Sequence, residues 1–93
     1  MWLSGKENKH LIQTVIMELK DFIQNFAEQF DDTPASEFTA ETVFHDLDEY
    51  TSLIALSIIL MIDEEYGVAI DANEMTAAVT IEDLFNTVKS KVV

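Results

Sequence analysis

Thr51-Ser52-Leu53-Ile54-Ala55-Leu56-Ser57-Ile58-Ile59-Leu60-Met61-Ile62-Asp63-Glu64-Glu65-Tyr66-Gly67 is the stretch on which the reading of this chain turns. From Leu53 to Ile62 its only polar residue is Ser57. The run reads as a helix from Thr51 to Tyr66, closed by Gly67, because glycine enters the left-handed conformation of a helix end without a Cβ clash. A helix that is apolar around its whole circumference either sits at the centre of a bundle or leaves one face open for binding. With Leu56, Ile59 (or Ile58), Ile62 and Tyr66 facing inward, Leu53, Ile54 and Leu60 are expected at the surface. Taken alone, Ser52 reads as an N-cap, its hydroxyl satisfying an orphan backbone N–H.

Upstream, Leu19, Phe22, Ile23, Phe26 and Phe30 fall at i, i+3, i+4, i+7 and i+11 and draw an apolar stripe on a first helix. Ile12, Val15 and Ile16 continue the phase, so this helix can begin near Lys9, with residues 1–8 frayed. Asp31-Asp32-Thr33-Pro34 ends it, since proline disfavours helical geometry in the residue before it. A long connection follows, in which Phe38, Val43, Phe44 and Leu47 are expected to pin the chain to the bundle; a loop of this length in a small domain tends to be functional. Downstream, Asp71-Ala72-Asn73-Glu74 has the form of a capping box for a short third helix. Thr80 caps a fourth, whose Ile81, Leu84, Phe85, Val88 and Val92 repeat the stripe, with Lys89 and Lys91 at the dipole's negative end. No alternation is long enough for a strand. The expected fold is all-α: a small, irregular four-helix bundle with a long loop between helices 1 and 2.

Composition narrows the function. The chain has 93 residues, 5 basic and 18 acidic side chains, a formal charge of −13 and no cysteine. Phosphate binding needs a positive footprint, so nucleic acid is a poor partner, and an anionic membrane surface is disfavoured for the same reason. No segment reaches the roughly 20 apolar residues of a membrane span, so membrane insertion is not expected. Without cysteine there is no disulfide, thiolate metal site or thiol nucleophile. A calcium loop starting at Asp63 places Gly67 where a ligand is required and Val68 where glycine is required, so no metal site is expected. His10 and His45 are far apart with no second nitrogen ligand, which argues against zinc or a Ser-His-Asp triad. The only glycines, Gly5 and Gly67, form no phosphate loop. The chain is expected not to be an enzyme, and to be a cytoplasmic, monomeric protein that meets basic partners.

From Phe44 to Ile70 the chain resembles the acyl carrier protein family. The features are Phe44-His45-Asp46-Leu47, Ser52-Leu53 at the head of the second helix, and Asp63-Glu64-Glu65-Tyr66-Gly67-Val68-Ala69-Ile70 at its end. From Ser52 to Val88 the family pattern fits without a gap. The resemblance implies a carrier domain over residues 17–93 and an N-terminal extension over residues 1–16, partly frayed or extending helix 1. It further implies that Ser52 is the point where 4′-phosphopantetheine from coenzyme A is attached, by a separate phosphopantetheinyl transferase. Acyl intermediates would then ride as thioesters between the enzymes of fatty-acid or related, polyketide-like biosynthesis: a ketosynthase, an acyltransferase or other acyl-processing enzymes with basic patches.

Two departures stand out. The family's usual Asp before the serine is Thr51, and acidic docking positions on the second helix fall on Ile54 and Ser57. Docking is therefore expected through Asp48, Glu49, Leu53, Ile54, Leu60, Asp63 and Glu64, with charge reversal at Asp48 and Glu49 costing more than at Glu82 and Asp83. The alternative is a carrier-shaped module that is never modified and binds a protein partner through the apolar face of helix 2.

Overall fold

The computed structural model describes residues 18–92, in which four helices form: α1 (Leu19–Ala27), α2 (Ser52–Tyr66), α3 (Ala72–Ala77) and α4 (Ile81–Lys91). Two short 3-10 turns, Ala35–Glu37 and Phe44–Asp46, punctuate the long connection between α1 and α2. The all-α bundle with a long first loop is the architecture the sequence predicts. Among the described residues the nearest thing to a sheet is a single antiparallel bridge between Val43 and Thr80. The upstream extension of the first helix, the frayed residues 1–8 and His10 all lie outside the described residues.

The core is built on aromatic rings. Phe22 and Phe26 of α1 are fully buried, and their rings meet Phe85 of α4 at 5.5 Å and Phe44 of the loop at 5.3 Å. Burying one such side chain contributes about 2 kcal/mol, which is why a nine-residue helix, too short to persist alone, holds here. The helix stops at Ala27, earlier than the Asp31-Pro34 signal suggests. Phe30 nevertheless stays in the core, because the chain leaves α1 through tight turns (Gln29 N–H to Phe26 O, Phe30 N–H to Ala27 O) that bring its ring to 4.9 Å from Phe38.

Three of the loop's four apolar residues pin it as expected: Phe38 and Phe44 are buried and Leu47 is half-buried against the core. Val43 is 38% exposed and acts through its backbone instead. Beside it, Thr42 and Ala40 offer their carbonyls to the N–H groups of Ile81 (3.1 Å) and Glu82 (3.0 Å), donors that the start of α4 cannot satisfy internally. The remaining donors there are met by a capping box in which Thr80 Oγ1 accepts from Asp83 N–H while Asp83 accepts from Thr80 N–H. The predicted capping box of α3, between Asp71 and Glu74, is present as well. Glu74 also pairs with Lys91 Nζ at 2.6 Å, tying the last turn of α4 to the first of α3.

α2 ends at Gly67 with φ +66°, its N–H bonded to Asp63 O at 2.9 Å. Its inward row is Ile54, Ile58, Ile62 and Tyr66, at i, i+4, i+8 and i+12, with Met61 beside it. Ile58 and Ile62 are fully buried, whereas Leu56 is 51% exposed, and Ile54, expected outside, packs against the core. Ile58, Ile62 and Tyr66 face inward as expected, and only Leu56 and Ile54 exchange places. A helix with no polar face carries no mark of which side the neighbours will cover.

Candidate functional site

Thr51, not Ser52, is the N-cap of α2. Its side chain accepts from Ile54 N–H at 3.3 Å, so the position where the carrier resemblance expects aspartate keeps a capping oxygen and loses a charge. Ser52 is the first helical residue, exposed, and its hydroxyl makes no hydrogen bond to any described residue. Ser57, one and a half turns further on, is half-buried beside the α1–α2 groove.

Ser52 stands on the rim of a cleft of about 470 Å³ between α2 and α3. Ala55, Leu56 and Ile59 line it from α2, Ala72, Met75 and Thr76 from α3, and His45 and Tyr50 from the loop. The lining is mostly apolar. His45 builds one wall: its Nε2 lies 2.9 Å from Ala78 O and 3.1 Å from Met75 O, and its ring stacks on Phe44 at 4.3 Å. Carbonyl oxygens only accept, so the ring proton belongs on Nε2, where it closes the end of α3. The sequence gives no sign of this role, since the two carbonyls lie about thirty residues downstream. Tyr50 sets its ring edge-on to Phe44 and His45, and burial pushes its phenol pKa up, leaving a neutral donor at the cleft mouth.

The remaining sequence-predicted residues divide. Leu53 (74% exposed) and Leu60 (52%) are at the surface as expected, and Leu56 joins them to make a stripe at i, i+3 and i+7. Asp48, Asp63 and Glu64 are exposed, the last two one turn beyond Leu60 and Asp48 in the loop before α2. Ile54 is withdrawn from it, as above. Glu49 is withdrawn too: its carboxylate accepts the N–H groups of Asp31, Asp32 and Thr33 and the Thr33 hydroxyl, so it is an internal acceptor rather than an open docking charge. Asp83 is likewise committed to its capping box, and charge reversal there would break a helix cap as well as alter the surface.

Four helices thus set Ser52 at an exposed helix start beside an apolar cleft. The chain belongs to the phosphopantetheine attachment site family, whose model matches residues 21–88, from α1 through α4. That assignment agrees with the resemblance to acyl carrier proteins and makes this a phosphopantetheine-carrying, non-catalytic module. Comparison with curated proteins and with solved structures gave no match. Among the described residues no helix is long and apolar enough to cross a membrane.

Proposed function

We propose that this protein is an acyl carrier protein, with Ser52 as the residue that receives 4′-phosphopantetheine. The observation that carries the proposal is the free Ser52 hydroxyl on the rim of the α2–α3 cleft. In loading by a separate transferase, the Ser52 oxygen takes the phosphopantetheinyl group from coenzyme A. A phosphodiester bond to serine forms, the diphosphate bond of coenzyme A breaks, adenosine 3′,5′-bisphosphate leaves, and the transferase accepts the hydroxyl proton. The bound group supplies a terminal thiol on a flexible arm, on which an acyl chain is held as a thioester and presented at high effective concentration to each docked enzyme.

The residues present fit that group. The cleft offers an apolar surface from Ala55, Leu56, Ile59 and Met75 for an aliphatic chain, and the exposed start of α2 leaves room for the arm. The cargo is an acyl chain of fatty-acid or polyketide-like biosynthesis, handled in the cytoplasm by ketosynthase- or acyltransferase-like enzymes. Such partners dock on the stripe of Leu53, Leu56 and Leu60, with Asp48 at one end and Asp63 and Glu64 at the other drawing in basic residues. The protein acts as a monomer, since copies charged at −13 repel one another.

The same three exposed leucines favour a second reading, an unmodified interaction module that uses the stripe alone. Intact mass after incubation with coenzyme A, magnesium and a broad-specificity transferase separates the two. The expected result is a gain of one phosphopantetheine in the wild type and none in Ser52→Ala. No gain in either, beside a known carrier that is modified in the same tube, leaves the module.

A further inference from the structure

Glu49 lies three residues before Ser52, in an exposed, acid-rich loop, yet its carboxylate is among the most heavily bonded groups in the molecule. Oε2 accepts from Asp31 N–H at 2.7 Å and Asp32 N–H at 3.2 Å; Oε1 accepts from Asp32 N–H and Thr33 N–H at 3.0 Å and from the Thr33 hydroxyl at 2.7 Å. Three consecutive N–H groups turned on one anion form a nest. The anion comes from a different part of the chain, sixteen to eighteen residues away, so the nest joins the exit of α1 to the approach to α2. The Thr33 hydroxyl, foremost, and then the N–H groups of Asp31, Asp32 and Thr33 hold the Glu49 carboxyl below its ordinary 4.5 against the opposing effect of burial.

Only Tyr50 and Thr51 separate this contact from Ser52. Tyr50 is itself held, its N–H on Leu47 O at 3.0 Å and its ring 5.3 Å from Phe44, and Thr51 is the helix cap. The approach to Ser52 is therefore anchored at every residue, with Glu49 as the anchor to a second element. We infer that Glu49 is a positioning residue for modification at Ser52: by latching the loop to the exit of α1, it sets where the serine hydroxyl stands on the surface that a transferase grips. This rests on Ser52 being the attachment point. A docking charge at the same position would act through its field, whereas a latch acts through its donors, so removing a neutral donor tells them apart.

The test is the initial rate of loading from coenzyme A by a broad-specificity transferase, followed by intact mass well below the melting temperature of every variant. The proteins are wild type, Ser52→Ala, Glu82→Gln, Thr33→Val, Glu49→Gln and the Thr33→Val/Glu49→Gln double variant. Losing charge-assisted hydrogen bonds that orient a reacting group is expected to lower kcat/KM about 10-fold for Glu49→Gln and about 3-fold for Thr33→Val. Glu82→Gln stays within about 2-fold, since exposed charges act weakly, and the double variant matches Glu49→Gln alone because both changes break one contact. The amide signals of Asp31, Asp32 and Thr33 shift in both single variants. Thr33→Val keeps every charge, so an unchanged rate in that variant overturns the latch even if Glu49→Gln is slow or fails to fold. Multiplicative effects in the double variant also overturn it. Wild type that is not loaded, or Ser52→Ala that is, overturns the attachment site itself and the latch with it.

Discussion

α4 and α2 solve the same packing problem with opposite surpluses. α4 buries Ile81, Leu84, Phe85 and Val88 and turns Glu82, Asp83, Lys89 and Lys91 outward, so every apolar residue of its first turns is spent on the core. α2 buries Ile58, Met61 and Ile62 and still has Leu53, Leu56 and Leu60 left over, each more than half exposed. A bundle this small cannot cover a whole helix circumference. Those leftover leucines are the stripe on which the proposed docking surface rests.

The comparison predicts a sharp asymmetry in stability. Leu84→Ala in α4 should cost about 3 kcal/mol, from lost transfer energy and a residual cavity, whereas Leu56→Ala in α2 should cost less than about 0.5 kcal/mol, as is usual for surface positions. Urea unfolding of the two variants checks this. Equal losses would mean that α2 is covered in the free protein. Gly67→Ala should fall between them, at about 1 kcal/mol, since φ +66° strains any Cβ although no atom lies within 4 Å of it. If melting is unchanged, the end of α2 can leave the left-handed conformation without loss.

The smallest effect is a pH dependence at the junction of α3 and α4. The Lys91 ammonium, foremost, and the Asp71 N–H hold the Glu74 carboxyl below its ordinary 4.5. A lowered folded pKa means that this contact stabilises the fold above the unfolded value near 4.5 and is lost as pH falls through the folded one. Lys91→Met should therefore lower the melting temperature slightly at pH 7, with the difference from wild type vanishing as pH falls below 4.5. An unchanged slope between wild type and variant would show that the exposed pair is screened by solvent.

Much of this molecule was legible in residues that are neighbours along the chain. The stripes of α1 and α4, the capping box at Asp71-Glu74, the Thr80 cap, the left-handed Gly67 and the serine at the head of α2 depend on local spacing and local backbone chemistry, which the sequence states outright. Tertiary structure alone decided which side of α2 faces in, because a helix without a polar face has no phase until α1 and α4 choose one; hence Ile54 turned inward and Leu56 outward. It also decided that Glu49 closes on Asp31, Asp32 and Thr33, and that His45 closes on Met75 and Ala78. These bonds span sixteen or more residues and use backbone groups that every residue type possesses, so no side-chain pattern could announce them. The sequence determined which helices form and that a serine stands at the head of α2. Folding decided what surrounds that hydroxyl, because the cleft and the latch exist only where segments distant in the chain are brought together.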